Sequence, residues 1–64
     1  MVIDKVKFFI LCAQRCKRMP TVVRDAGLSP SVMRCIDAGK PSTAETVGKL
    51  AKVLQCQPNE LLKI

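Results

Sequence analysis

The stretch GLSPSVMRCIDAGKPSTAET, residues 27–46, is the most informative about the helix arrangement, because it contains two helix stops and two helix starts in close succession. Gly27 and Gly39 both suit the left-handed position that commonly follows the last turn of an α-helix. The segment between them, 29–38, is predicted to be a short helix with Ser29 as its N-cap. Pro30 takes the first position, where the missing N–H of a proline removes no helical hydrogen bond.

Three of the flanking segments also have helical patterns. Residues 4–17 are predicted to form a first helix with Asp4 as its N-cap, and residues 20–26 a second one that begins at Pro20. Ser42 opens a capping box for a helix over 43–55. The buried stripe of that helix is predicted to consist of four apolar residues at helical spacing: Val47, Leu50, Ala51 and Leu54.

A last short helix is predicted over 58–64, starting at Pro58. The expected fold is therefore all-α, a compact bundle of five short helices. Its apolar end is expected to fold back on the core or to meet a second subunit through Leu61, Leu62 and Ile64.

The first helix has more apolar residues than one buried stripe requires. Phe8, Leu11 and Cys12 follow one face, and a further band consists of Val6, Phe9, Ile10 and Ala13. We expect this band to widen the core contact of the helix. The alternative is that Phe9 or Ile10 forms a dimer interface.

Composition narrows the possible functions. A chain of 64 residues indicates one domain, residues 1–64, and its net charge of +6 favours a polyanionic partner, nucleic acid before membrane. There is no histidine, and no pair of residues is spaced like a catalytic dyad, so we expect no enzyme and no small-molecule substrate. The apolar run 8–13 is too short for a membrane span.

The four cysteines, Cys12, Cys16, Cys35 and Cys56, lack the paired spacing of a zinc knuckle. We interpret them as reduced thiols of an intracellular, cytoplasmic protein without metal or cofactor. Redox sensing is a less favoured alternative, and a four-thiolate zinc site is the least favoured.

Two short helices joined by a glycine turn, 20–26 and 29–38, have the layout of a helix-turn-helix, whose second helix enters the DNA major groove. Met33 and Ile36 are expected to face inward. The outer face offers candidates for base contacts: Pro30, Ser31, Arg34 and Cys35. Arg34 is the preferred base reader, because a guanidinium can bond O6 and N7 of guanine together; the alternative is an exposed ion pair with Asp37.

Phosphate contacts are expected from helix N-termini and from nearby cations, since free N–H groups and positive charge both attract anions. The candidates are Arg18, Met19, Thr21, Arg24, Lys40, Ser42 and Thr43.

The ordered set AGLS (26–29), IDAGKPS (36–42) and LAKVL (50–54) resembles the lambda-repressor-like helix-turn-helix family, which includes the Cro and xenobiotic-response-element regulators. The resemblance runs without a gap over residues 11–62. It implies five helices, binding of operator DNA as a symmetric dimer, and regulation of transcription, often in phages and mobile elements. Many members have glutamine where this chain has Met19, and an Arg–Glu ion pair where it has Cys12 and Asp37.

The sequence thus predicts a sequence-specific regulator that binds double-stranded DNA as a homodimer, with Leu61, Leu62, Ile64 or Phe9 as candidate contacts between the two copies. The alternative is a protein-interaction module, such as an antitoxin-like adaptor, whose helix over 29–38 does not bind the DNA groove. A thiol-based sensor is a third possibility.

Overall fold

The computed structural model describes residues 1–63 and shows four α-helices in this range: α1 (Lys5–Gln14), α2 (Met19–Asp25), α3 (Ser31–Asp37) and α4 (Ala44–Leu54). A single 3₁₀ turn, Pro58–Glu60, follows them. These residues form no strand, only two isolated β-bridges. The all-α class is confirmed. No helix within the described range is long and apolar enough to cross a membrane.

The helices pack around one core that is mainly aliphatic. Its largest fully buried side chains include Phe8 from α1, Val22 and Val23 from α2, and Leu50 from α4. All four residues of the predicted α4 stripe are buried, as expected for an amphipathic helix that packs one face against its neighbours. Lys49 and Lys52 lie on the exposed side of α4.

One prediction about apolar side chains is wrong, and one open alternative is decided. Val6, Phe9 and Ile10 do not widen the core, because their positions on α1 lie opposite Phe8 and Cys12; they are 67%, 59% and 50% exposed. For the apolar chain end, Leu61 follows the first of the two alternatives: it folds back and is fully buried in the core, so its side chain is not available to a dimer interface.

The predicted helix over 58–64 is also wrong, and the chain folds back after the 3₁₀ turn instead. Leu62 forms a bridge with Ile3, and the N–H of Lys63 donates to the carbonyl of Val2 at 2.8 Å. These extended pairings use backbone groups that a continuing helix would need. Ile64, the last residue of that prediction, lies outside the described range.

The N-terminal segment, residues 1–3, joins the α3–α4 loop to the end of the chain. Val2 forms a bridge with Pro41, the N–H of Ser42 donates to the carbonyl of Met1, and Ile3 is only 3% exposed. This segment contributes to the core although no sequence pattern indicated it.

The capping residues of two helices, α3 and α4, differ from those predicted. The N-cap of α4 is Thr43, whose hydroxyl accepts the N–H of Thr46 at 3.2 Å. The N–H of Ser42, which the predicted capping box would pair with Glu45, donates to the carbonyl of Met1 instead. Helix α3 begins at Ser31 rather than at 29. The hydroxyl of Ser29 lies 2.6 Å from that of Ser31 and caps no backbone N–H.

All four α-helices are followed by a residue in the left-handed backbone conformation. Gly27 and Gly39 have φ of 75° and 70°, as predicted, but Cys16 and Gln55 also adopt left-handed conformations, with φ of 55° and 54°. The N–H of Lys17 donates to the carbonyl of Cys12 at 3.0 Å and closes α1 at Gln14, before the predicted end at 17.

Candidate nucleic-acid interface

Helix α3 lies on the surface and is held from beneath. Ile36 is 3% exposed and belongs to the core, while Met33 is half-buried and packs against it, so both face inward as predicted. The turn that leads into α3 is closed by the N–H of Leu28, which donates to the carbonyl of Val23 at 3.1 Å. Gly27 supplies the positive φ that this closure requires.

A groove of about 510 Å³ runs between α2 and α3; we call it the α2–α3 groove. Its rim contains two predicted phosphate contacts, Thr21 and Arg24, and two predicted base contacts, Pro30 and Arg34. Its remaining lining is mainly apolar: Pro20, Val23, Leu28 and Met33.

A smaller groove of about 160 Å³, the α3–α4 groove, lies between α3 and the start of α4. It brings Ser31 and Cys35, both predicted base contacts, together with Ser42 and Thr43, both predicted phosphate contacts. Helix α3 therefore lies between two grooves, and the predicted base contacts are divided between them.

Three residues of the α3–α4 groove were not singled out in the sequence, namely Val32, Thr46 and Pro41. The spacing of Thr43 and Thr46, three apart at the start of a helix, is the signal that could have indicated the second of them. Both hydroxyls lie 3.0 Å apart at the N-terminus of α4.

The other three predicted phosphate contacts line neither groove. Arg18 is exposed at the N-cap of α2, and no side chain caps this helix. Met19 is half-buried against the core, so its backbone N–H is the group available to an anion. Lys40 is exposed directly after α3, where its own N–H donates to the carbonyl of Cys35 at 3.0 Å.

The salt bridges of the described residues do not include the cations predicted to contact DNA. Among residues 1–63 the salt bridges are Lys5–Asp37 at 2.8 Å, Lys17–Asp25 at 3.1 Å and Lys49–Glu45 at 3.1 Å. Asp37 thus pairs with α1, and the alternative that it pairs with Arg34 is wrong. The cations predicted to contact DNA take part in none of these bridges: Arg18, Arg24, Arg34 and Lys40.

The cysteine thiols are free, and two of them have raised pKa values. Burial raises the pKa of Cys12 to about 11, with a smaller contribution from Cys56. Burial and the Glu60 carboxylate also raise the pKa of Cys56, while Arg15 acts in the opposite direction. Because the thiolate is the reactive form, a raised pKa disfavours the thiol-sensor alternative for this pair.

These features together indicate a class of protein domain. A short helix held on the surface of a small all-α bundle, between two grooves, one of them lined by two arginines that form no salt bridge within residues 1–63 (Arg24 and Arg34), is typical of helical DNA-binding domains. A family model identifies the class further, since it matches residues 9–64. The chain belongs to the Cro/C1-type HTH DNA-binding domain family, which confirms the resemblance seen in its sequence. No curated protein and no solved structure matches the chain.

Proposed function

We propose that this chain is a sequence-specific transcriptional regulator, a repressor of the phage or mobile-element type, whose helix-turn-helix consists of α2 and α3. In this proposal residues 1–64 act as one DNA-binding domain inside the cell, where the genome is accessible. The observation that carries it is the position of α3, exposed between two grooves with its inner face fixed by Ile36.

Base contacts come from the outer side of α3. Arg34 is exposed and forms no salt bridge within the described residues, so its guanidinium is free to bond a guanine. Ser31 offers a hydroxyl to a base edge or a phosphate. Pro30 and Cys35 offer apolar contact, for which a thymine methyl group is suitable. With one strong polar reader, each copy has modest selectivity.

Phosphate contacts flank this helix on both sides. Thr21 and Arg24 line the α2–α3 groove, and Ser42 and Thr43 line the α3–α4 groove. The set is completed by Arg18, Lys40 and the backbone N–H of Met19. Each phosphate neutralised by a cation releases counterions and steepens the salt dependence of the logarithm of affinity by about 0.9.

The proposed regulator binds as a homodimer. Of the apolar residues predicted to mediate it, Leu61 is excluded by its burial, Leu62 is half-buried, and Phe9 is exposed. Ile64 lies outside the described residues.

Fluorescence anisotropy with a labelled random-sequence duplex tests the proposal. Affinity should fall steeply between about 50 mM and about 200 mM salt, because several cations contact phosphates. Duplexes selected from the same pool by repeated binding should then bind more tightly than unselected ones at each salt concentration. Absence of binding even at the lower salt concentration would contradict the proposal.

One observation favours the alternative of a protein-interaction module. The floor of the α2–α3 groove is apolar, with Val23, Leu28 and Met33. Apolar grooves of this kind accept apolar side chains of a helix or extended segment from a protein partner. In that case the chain binds a protein segment and fails the anisotropy test.

A further inference from the structure

The α2–α3 groove combines an apolar floor with two cations. Val23 is only 2% exposed and forms the buried part of the floor, while Leu28 and Met33 are half-buried. Arg24 and Arg34 line the same groove and are exposed. Apolar surface that the protein covers only in part therefore meets positive charge in one cavity.

The charge of this groove is unbalanced. No acidic residue lines it, and neither arginine takes part in the salt bridges of residues 1–63. The α3–α4 groove has no charged residue, and a groove of about 380 Å³ beside the N-terminal segment is lined by two aspartates and two lysines. A cleft with charge of one sign and apolar walls raises the local concentration of counter-ions. Of these three cavities, the α2–α3 groove is accordingly the one that attracts an anion.

The groove is preformed and has the size of a small-molecule site. Its volume of about 510 Å³ falls within the ~300–1,000 Å³ of such sites. The N–H of Leu28 donates to the carbonyl of Val23 at 3.1 Å, which fixes two floor residues relative to each other. Pro20 and Pro30 also line the groove, and the ring of each proline fixes its φ angle. A ligand thus needs little reorganisation of the backbone.

We propose that the α2–α3 groove binds a small aromatic anion, with one or two fused rings and a single carboxylate. The rings lie on the apolar floor, where the Met33 thioether favours contact with an aromatic edge. The carboxylate accepts hydrogen bonds from Arg24 or Arg34, because a guanidinium matches its two oxygens. An arginine that does not hold the carboxylate can stack on the rings.

The extent of the groove favours such a ligand over a protein segment. Eight residues line the groove, whereas a stable protein interface involves ~20–30 residues on each side. The helices that bound it have seven residues each, so each is only ~10 Å long. An aromatic acid can fill a cavity of this extent, and its one negative charge complements the unbalanced cations.

One consequence rests on the proposed function, in which Arg24 contacts phosphate and Arg34 contacts a base. An aromatic acid in the groove and DNA then compete for the same guanidinium groups. At a ligand concentration ten times its Kd, the apparent affinity for DNA should fall about elevenfold. The groove would in this way make DNA binding responsive to small aromatic acids.

An NMR titration of the methyl-labelled protein with 2-naphthoate, in the absence of DNA, tests the site itself. The methyl signals of Val23, Leu28 and Met33 should shift with saturation, with a Kd on the order of 0.1–1 mM. The methyl signals of Val6 and Ile10, which are exposed on α1 away from the groove, serve as the control for unspecific apolar binding and should not move. The neutral analogue 2-naphthylmethanol should bind more weakly.

Charge variants separate the two cations from the apolar floor. The double variant Arg24→Gln with Arg34→Gln should raise the Kd of 2-naphthoate by about three- to tenfold, as expected for partly exposed ion pairs, and leave that of the alcohol nearly unchanged. Lys52→Gln with Lys63→Gln is the matched control, because it removes two exposed cations that do not line the groove. Unchanged amide spectra establish that each variant is folded.

Three results overturn the proposal. The first is the absence of shifts at the floor methyl groups at millimolar 2-naphthoate, and the second is equal shifts at Val6 and Ile10. The third is equal affinity for the acid and the alcohol in all variants, which is the behaviour expected of a groove for apolar side chains of a protein segment. None of these readouts involves DNA, so such a failure leaves the proposed function standing. Conversely, bound 2-naphthoate that leaves the affinity for DNA unchanged contradicts the DNA contacts of Arg24 and Arg34 and not the ligand site.

Discussion

Replacing Arg34 by alanine should relax sequence selectivity at one base position while the fold stays intact. The side chain is exposed, forms no salt bridge within residues 1–63, and lies on the rim of the α2–α3 groove. Alanine is at least as good a helix former as arginine, so we expect the free energy of unfolding to change by less than about 0.5 kcal/mol. Any large effect on DNA binding therefore reports on the interface and not on the fold.

The magnitude follows from the bonds that the guanidinium can make. A bidentate contact with guanine discriminates against another base by ~1–3 kcal/mol, which corresponds to a factor of roughly 5 to 150 in affinity. The variant should lose this factor on the best site, and should no longer distinguish single-base changes at the position that Arg34 reads. Preferences at the other positions should remain.

The assay has two stages. Duplexes are first selected from a random pool with the wild-type protein, and the best site and its single-base variants are then measured by fluorescence anisotropy with both proteins. Lys52→Ala is the matched control, because it also removes an exposed cation but lies at the far end of α4. If the Arg34 variant loses the same factor on every sequence, the residue contacts only phosphate; if it loses nothing, α3 does not read DNA with this side chain.

Three further predictions concern charge, capping and pH. Lys40→Ala should weaken binding to all sequences alike and reduce the salt slope by about 0.9, whereas Lys52→Ala should not; an equal slope for both variants contradicts the phosphate role. In urea denaturation, Thr43→Ala should lower the free energy of unfolding by about 1 kcal/mol through loss of the α4 cap, and Ser42→Ala by clearly less. The opposite order would identify Ser42 as the cap. Burial raises the pKa of Cys12 from 9.0 to about 11, so the folded protein holds this proton more tightly than the unfolded chain does. The resulting stability is fully present below pH 9 and is lost as the pH rises toward 11, by about 2–3 kcal/mol. The stability difference between wild type and Cys12→Ala, measured at pH 7 and above pH 10, should therefore shrink; a constant difference contradicts the buried thiol.

Much of the helix pattern could be predicted because its signals are local. A positive φ is easiest for glycine, so Gly27 and Gly39 indicated two helix ends correctly. Cys16 and Gln55 adopt the same conformation without any such signal, and the end of α1 was accordingly predicted too late. The helical spacing of the α4 stripe also sufficed to identify its buried face.

The candidate site was predicted in part for the same reason. The inner position of Ile36 follows from spacing within one helix, and the structure shows it buried. The ion pair of Asp37 with Lys5, which leaves Arg34 without this partner, joins residues on different helices, and no local pattern indicates it. The grooves beside α3 likewise exist only because α2 and α4 lie on either side of it.

The helical class, most helix ends and the family could be predicted from the amino-acid sequence, since periodicity, glycine stops and motif order are properties of neighbouring residues. Tertiary structure decided which of two apolar faces of α1 is buried, because both have helical spacing and only packing against α2 and the C-terminal segment distinguishes them. It also chose Thr43 over Ser42 as the α4 cap, through a backbone pairing with residues far away in the chain. In both cases several local solutions were compatible with the sequence, and contacts between distant segments selected one of them.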